Sequence, residues 1–226
     1  MLPSKGVVTD LQKQILHAFS QLADSGHFYL TGGTALAGFY LAHRKSFDLD
    51  LFTAERGLVL PFSRVFENEL QAKLEVKTVR RLESFVEYEI RGEGEETKVQ
   101  LAYDSPFRFG SPLASDLGIM VNDCKDLIVD KLLALFGRAE PRDAIDLFFI
   151  LEEEDIWELA RSAQTKDPGF DLYWLAIALR KVRDYPDDIS GWPVEMIKEV
   201  DPVQLKDQFL RLSEEIMGRI RGGDDK

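Results

Sequence analysis

Residues 29–34 read YLTGGT and residues 47–52 read FDLDLF, and these two stretches decide the fold of the N-terminal half. The first is a short apolar run that ends in a glycine pair, and a helical stretch follows it. The second alternates apolar and acidic residues, a pattern typical of a strand with one buried face. The order strand, glycine turn, helix, strand predicts an α/β arrangement in which Asp48 and Asp50 share one face and Phe47, Leu49 and Leu51 enter the core.

Periodicity predicts the other elements on either side of these stretches. The N-terminal part is expected to hold helices at 9–24, 34–43 and 60–74 and strands at 75–80, 85–90 and 98–103, with a hairpin turn at 91–94. After Asn122, taken as a helix cap, we expect only helices: 126–136 ended by Gly137, one from Pro141, 155–164, 171–183 and 202–220, then a fraying tail at 221–226. The expected fold class is α+β, with a small mixed sheet and flanking helices in residues 1–121 and an all-helical half in residues 122–226.

Composition excludes several classes of protein. The chain has 226 residues, 45% of them hydrophobic, so it can bury a large core. One cysteine excludes an intramolecular disulfide framework and indicates a reducing, cytoplasmic compartment; three scattered histidines make no zinc cluster. No segment is apolar for long enough to cross a membrane, and we expect no membrane partner.

The charge is distributed unevenly. The net charge is −12, but residues 1–60 are neutral, residues 61–150 carry −5 and residues 151–226 carry −7. A basic nucleic-acid platform is therefore excluded, since phosphate binding depends on Lys and Arg. The net charge does not exclude a specific RNA acceptor near the neutral N-terminal quarter.

The glycine pair and the two aspartates together suggest a site for a metal and a phosphate. Two carboxylates on one strand face suit Mg²⁺, which takes oxygen ligands and completes its shell with water and substrate phosphates. Gly32 and Gly33 let a triphosphate approach the backbone, and Thr34 begins a helix with free N–H groups. Each motif alone has a plainer interpretation, as an ordinary turn or a solvated edge strand. Their spacing places both motifs at the same end of adjacent elements.

At this point the sequence resembles a known family. The run GGTALAGFYLAHRKSFDLDLF (32–52) and the run DLIVDKLLALFGRAEPRDAIDLFFIL (126–151) are similar to motifs of the nucleotidyltransferase-like AbiEii toxins, of the polymerase-beta-type nucleotidyltransferase superfamily. The resemblance implies a helical lysine, Lys131, and an aspartate, Asp146, in the active site. It also gives Arg44 and Ser46 a role in binding phosphate, although solvated surface positions would be the default without the family.

Lys131 and Asp146 are unusual on their own helices. Each falls within an apolar helical face, where a charge is costly unless it is paired or functional. A structural ion pair or a lysine extending to solvent is the plain alternative to a catalytic role. The functional interpretation is that Lys131 contacts nucleotide phosphates and Asp146 orients it or the nucleoside.

One position departs from the superfamily pattern. Members usually carry a third carboxylate on the strand beside the acidic pair, and Gln100 stands there in this chain. A neutral amide cannot accept a proton as a general base does. Three outcomes stay open: Asp104, Glu87 or Glu89 takes the role, the protein works with two carboxylates, or catalysis is lost.

The resemblance implies a toxin component of a toxin-antitoxin or phage-defence system. Its expected reaction is Mg²⁺-dependent transfer of a nucleotidyl group from a nucleoside triphosphate to a tRNA-like RNA or a protein hydroxyl, with two ions on Asp48 and Asp50. The residues expected to bind the nucleotide are Gly32, Gly33, Thr34, Arg44, Ser46 and Lys131. Those expected to be catalytic are Asp48, Asp50, Lys131 and Asp146. The helical half would complete the site. A cognate antitoxin is the implied partner. The alternatives are a catalytically impaired member that binds nucleotide or a protein partner, and an interaction protein that uses neither metal nor nucleotide.

Overall fold

The computed structural model describes residues 1–92 and 94–223. The chain divides into two compact units, Met1–Leu127 and Ile128–Lys226. The first unit is built on a seven-stranded mixed sheet, whereas the second is made of helices. The predicted α+β fold class is confirmed.

The sheet places the acidic strand near its centre. Its strands are β1 (Tyr29–Thr31), β2 (Asp48–Thr53), β3 (Glu75–Arg81), β4 (Phe85–Gly92), β5 (Glu95–Tyr103), β6 (Leu113–Ala114) and β7 (Met120–Val121), in the order β3-β4-β5-β2-β1-β7-β6. β2 runs antiparallel to β1 and parallel to β5. The five longer strands were predicted; β6 and β7 were not, because two-residue strands show no periodicity.

The helices flank the sheet in the first unit and form the second. They are α1 (Asp10–Ser20), α2 (Gly32–Ala35), a π-helical segment (Leu36–Leu41), α3 (Val59–Gln71), α4 (Cys124–Arg138), which crosses the unit boundary, α5 (Pro141–Ile150), α6 (Ile156–Lys166), α7 (Leu172–Arg180) and α8 (Pro202–Gly222). Short 3₁₀ turns lie at Ser25–His27, Lys181–Asp184 and Ile189–Gly191. No helix in residues 1–92 and 94–223 is both long and apolar enough to cross a membrane.

An aromatic core lies between one face of the sheet and helices α1 and α3. Phe19 packs edge-to-face on Phe28 and on Phe66, at centroid distances of 5.7 and 5.3 Å. Tyr88 is fully buried and its hydroxyl donates to the Ser63 carbonyl, at 2.7 Å. Because these side chains fill one face of the sheet, the polar residues that alternate with them belong to the other face.

The β2 prediction was wrong at Phe47. Its side chain is 48% exposed, whereas Leu49 and Leu51 are fully buried. The strand begins one residue later, at Asp48, so the alternation does not include Phe47. Its carbonyl instead accepts a hydrogen bond from the Thr97 hydroxyl.

Two helices depart from their predicted shapes in the first unit. Helix α1 ends at Ser20 rather than near residue 24, and a 3₁₀ turn follows. The helix predicted at 34–43 is a short α-helix that widens into the π-helical segment and ends at Ala42, whose φ is +50°. The widening is seen in the bond from the Ala42 amide to the Ala37 carbonyl, five residues back.

Helix α4 was predicted with the wrong start and the wrong stop. Asp123 rather than Asn122 precedes it as the cap, and its Oδ1 accepts from the Lys125 amide at 2.9 Å. The helix passes through Gly137 and ends before Ala139, which adopts φ +49°. Glycine lowers helix propensity without forcing an end.

Two predicted features fall partly outside the described residues. In the hairpin between β4 and β5, Gly92 pairs with Glu95, and Gly94 has φ +83°; Glu93 is not among the described residues. Helix α8 reaches Gly222, two residues into the predicted tail, whose last three residues, 224–226, also lie outside.

Candidate functional site

The register of β1 on β2 brings the glycine turn to the acidic pair, Asp48 and Asp50. Thr31 pairs with Asp50, so Gly32 follows directly beside it. Gly32 has φ +69°, and a Cβ built there would lie 1.9 Å from Asp50 Oδ2. Only glycine fits this position, for backbone conformation and for space.

Arg44 and Ser46 converge on the second glycine. A Cβ on Gly33 would lie 2.7 Å from Ser46 Oγ and 2.8 Å from Arg44 Nη2. Arg44 is buried, with 5% of its surface exposed. The structure therefore brings the four predicted residues Gly32, Gly33, Arg44 and Ser46 together beside Asp50.

Thr34 has a different contact from the predicted one. Its side chain is buried, and its hydroxyl donates to the Asp48 carbonyl. This bond joins the start of α2 to the start of β2. Thr34 thus positions the acidic strand, and its predicted contact with phosphate stays a prediction.

Gln12 and Asn122 support the site and were missed as site residues. Gln12 Nε2 donates to the Ser46 carbonyl at 2.9 Å, while its Oε1 closes a capping box with Thr9. The Thr9-x-x-Gln12 spacing is a readable capping signal, but it does not reveal the second bond. Asn122 is fully buried and donates to Thr31 Oγ1 at 3.1 Å. Nothing in the sequence separates this asparagine from an ordinary helix cap.

Tyr40 forms a hydrogen bond with the backbone of Asn122, the residue whose side chain contacts Thr31. Its hydroxyl donates to the Asn122 carbonyl at 2.8 Å. Burial, followed by the nearby Cys124 and Asp123, raises the pKa of Tyr40 well above its ordinary value. The phenol therefore stays protonated and remains a hydrogen-bond donor at physiological pH.

A row of polar side chains crosses the sheet from the acidic pair. Asp50 pairs with Gln100 on β5, and Gln100 pairs with Glu87 on β4. Gln100 Nε2 donates to Glu87 Oε2 at 2.8 Å. Residues paired across neighbouring strands share a face, so all three side chains lie on the side of the acidic pair.

The two other candidates for a third carboxylate have different partners. Asp104 accepts from the Tyr29 hydroxyl at 2.7 Å and from Arg108 at 2.9 Å. It lies four residues beyond Gln100, about 13 Å along the strand. Glu89 forms an ion pair with Lys77 at 2.7 Å. Glu87 is therefore the candidate linked to the position beside Asp50.

The donor set fits a hard divalent cation. Asp48 and Asp50 share a face, and the glycine turn leaves the space beside Asp50 free of a Cβ. Within the described part of the chain, no three His, Cys, Asp or Glu side chains cluster closely enough to hold a metal ion. Two carboxylates suffice for Mg²⁺, which keeps water and substrate phosphates as its other ligands.

The second unit contains the predicted lysine and aspartate as a pair. Lys131 Nζ lies 2.7 Å from Asp146 Oδ2, with side-chain exposures of 8% and 0%. Next to them in sequence, the fully buried Asp143 accepts two bonds from Arg138, at 2.7 and 2.8 Å. The ion pair that we considered as the plain alternative is present. Because a buried ion pair contributes little net stability, stability alone does not explain why the chain buries these two charges.

Comparison with known proteins gives the same family as the sequence motifs. Residues 14–117 match the family model described as nucleotidyl transferase AbiEii toxin, type IV TA system, which confirms the resemblance. An uncharacterized protein of Aquifex aeolicus (strain VF5) is 25% identical over 186 residues, covering 79% of this chain and 84% of that protein.

Two solved structures share the fold. MenT4, a nucleotidyltransferase toxin from Mycobacterium tuberculosis H37Rv, aligns with a TM-score of 0.65 at 18% identity, over 92% of this chain and 82% of that chain. The protein JHP933 from Helicobacter pylori aligns with a TM-score of 0.59 at 19% identity, over 94% and 91%.

Proposed function

We propose that this chain, which carries an AbiEii nucleotidyltransferase toxin domain over residues 14–117, transfers a nucleotidyl group from a nucleoside triphosphate to an RNA or protein hydroxyl. In that reaction the acceptor oxygen bonds to the α-phosphorus and pyrophosphate leaves. One observation carries the proposal: Gly32 leaves open the space beside the Asp50 carboxylate, and Arg44 and Ser46 meet at the adjacent Gly33.

Each residue of this arrangement has a role in binding the triphosphate. Asp48 and Asp50 would hold Mg²⁺, two ions in the complete site. The metal would neutralise phosphate charge as the leaving group departs. Gly33 lets the phosphates approach the backbone, Arg44 supplies positive charge and Ser46 supplies a hydroxyl donor.

We infer that Lys131, in the helical unit, takes part in nucleotide binding. Its ammonium would contact the phosphates, and Asp146, 2.7 Å away, would orient it. A lysine acting on phosphate needs such a partner when it is buried. This role is separable by experiment from a purely structural pair.

The direct test is label transfer. The protein is incubated with each of the four α-labelled nucleoside triphosphates, Mg²⁺ and total tRNA or total cell protein. We expect one nucleotide to label an acceptor, with loss of labelling in Asp48→Asn and in Asp50→Asn. Asp10→Asn is the matched control, because Asp10 is an exposed aspartate of the same unit, paired with Lys13. No transfer from any nucleotide, or unchanged transfer in both site variants, contradicts the proposal.

A second candidate function is a member that binds nucleotide without turnover. It is favoured by Gln100, which stands beside Asp50 where a general base is expected. Calorimetry with Mg²⁺ and each triphosphate distinguishes the two functions. Binding with no labelled acceptor supports the second, and binding with transfer supports the first.

The family also suggests the setting in which the protein acts. We infer a toxin of a toxin-antitoxin or phage-defence pair, acting in the cytoplasm where nucleoside triphosphates are available, with a cognate antitoxin as partner. The net charge of −12 limits nonspecific RNA binding and favours a specific acceptor. Co-expression with a neighbouring gene, scored by relief of growth inhibition, tests the antitoxin.

A further inference from the structure

The bond between Gln100 and Glu87 fixes the orientation of an amide beside the acidic pair. Gln100 is flanked in register by Asp50 on one side and Glu87 on the other. Its Nε2 donates to Glu87 Oε2 at 2.8 Å. Both side chains are half-buried, so the bond is partly shielded from water.

The chemistry of the two groups permits only one orientation of the amide. An ionised carboxylate only accepts hydrogen bonds, so the NH₂ group of Gln100 must face Glu87. The flipped amide would place its oxygen against a carboxylate oxygen. Oε1 is therefore left on the side of the amide away from Glu87, which is the side of β2 and Asp50.

We propose that Gln100 Oε1 is a third, neutral oxygen ligand for the divalent cation held by Asp48 and Asp50, and that Glu87 is the positioning residue that aims it. This inference rests on the proposed function and names how its metal site is completed. Amide oxygens are ordinary ligands of hard cations, and a hydrogen bond from outside the ligand shell commonly orients the ligand. Gln100 thus completes the site in place of a carboxylate.

Glu87 acts through Gln100 rather than as a ligand. It lies two strands from Asp50, about 10 Å between Cα atoms, with Gln100 between them. Among the described residues, no third acidic side chain joins Asp48 and Asp50 in a group that could hold a metal. The carboxylate therefore contributes by orienting the amide.

The test measures Mn²⁺ binding by electron paramagnetic resonance in the absence of nucleotide. Glu87→Met removes the carboxylate that accepts from Gln100 and should weaken binding about tenfold, the lower end of the effect of losing an orienting partner. The matched control is Glu89→Met, which removes the same charge from the same face of β4, where Glu89 pairs with Lys77 rather than with Gln100. It should change the dissociation constant less than about twofold, the size of a surface charge effect. Equal effects of the two variants, or none, overturn the proposal.

Two further variants separate orientation from a general loss of structure. Gln100→Ala should weaken Mn²⁺ binding at least as much as Glu87→Met, and combining the two should add nothing. The exchange E87Q/Q100E keeps an amide–carboxylate pair and places the carboxylate beside Asp50, so it should restore binding to at least the wild-type level. A folded E87Q/Q100E protein that still binds weakly overturns the proposal.

Failure of this inference is distinguishable from failure of the proposed function. If wild type binds Mn²⁺ and Asp50→Asn abolishes binding, the acidic pair is the metal site whatever Glu87 does. Unchanged binding in Glu87→Met then rejects the role of Glu87 alone. A wild-type chain that binds no Mn²⁺ overturns both.

Discussion

The Cα of Gly32 lies against the carboxylate of Asp50, so closely that a Cβ would be 1.9 Å from Oδ2. No side chain larger than hydrogen fits without moving Asp50. The backbone there is also left-handed, with φ +69°, which costs other residues about 1 kcal/mol or more. The position of the Asp50 carboxylate on the acidic strand therefore depends on glycine at position 32 of the turn.

Gly32→Ala should remove Mn²⁺ binding and label transfer, because the new methyl group displaces the Asp50 carboxylate. The matched control is Gly57→Ala, where φ is +77° but nothing lies within 4 Å of the new Cβ. In both variants the left-handed backbone should lower the free energy of unfolding by about 1 kcal/mol, as measured by urea denaturation. Only Gly32→Ala should lose the metal; loss in both variants, or in neither, contradicts this interpretation.

The Thr34 hydroxyl joins α2 to the acidic strand by donating to the Asp48 carbonyl. Thr34→Val keeps the shape but removes the donor, so it should lower the free energy of unfolding by about 1–3 kcal/mol. Thr34→Ser keeps the hydroxyl and should lose about 1 kcal/mol for the missing methyl group. Urea denaturation measures both. If valine is tolerated better than serine, the bond is not what matters at this position.

Much of the site was predictable because its residues are close in sequence. Gly32, Gly33, Arg44, Ser46 and Asp50 fall within one strand, turn, helix and strand, and the two strands pair with each other. The alternation in β2 fixes which side chains share a face. The local sequence pattern therefore predicts most of the geometry that relates the acidic pair to the glycine turn.

The supporting residues were not predictable for the same reason. Asn122 reaches Thr31 across 91 positions, and Gln12 reaches Ser46 across 34. Local spacing carries no information about such pairs. The register that places Glu87 next to Gln100 follows from the β4–β5 hairpin, but the direction of the amide depends on a side-chain bond that only the structure shows.

The buried pair of Lys131 and Asp146 gives a test of function against structure. Lys131→Met or Asp146→Asn alone breaks this buried ion pair and should cost about 3–5 kcal/mol, the scale for removing one member of such a pair. The apolar double variant K131M/D146L should be more stable than either single variant, since neither charge remains. Denaturant unfolding of the four proteins gives these values.

The label-transfer assay then separates the two roles of this pair. If Lys131 contacts phosphate, K131M/D146L recovers stability but loses transfer by at least about 100-fold, as expected for removing a group that stabilises transition-state charge. If the pair is only structural, the recovered stability brings transfer back. A stable and fully active double variant would falsify the catalytic role.

Glu67 on α3 gives a pH-dependent test of the contact between this helix and the edge strand β3. Burial raises the pKa of Glu67, but hydrogen bonds from Thr78 and Arg81 together outweigh burial and hold the pKa below its ordinary value of 4.5. A carboxyl with a lowered folded-state pKa stabilises the fold above its unfolded pKa. That stability is lost as the pH falls from about 4.5 through the folded value.

Glu67→Gln should therefore be destabilising by about 1–2 kcal/mol at pH 7, the scale of hydrogen bonds to a charged group. The difference from wild type should shrink as the pH is lowered from 4.5 to 3, because wild-type Glu67 becomes protonated as well. Glu69→Gln, an exposed position on the same helix, is the control and should show a smaller difference that does not follow this pattern. Urea denaturation at pH 7, 4.5 and 3 measures both variants, and a constant difference for Glu67→Gln across this range would mean that the charge on Glu67 does not stabilise the contact.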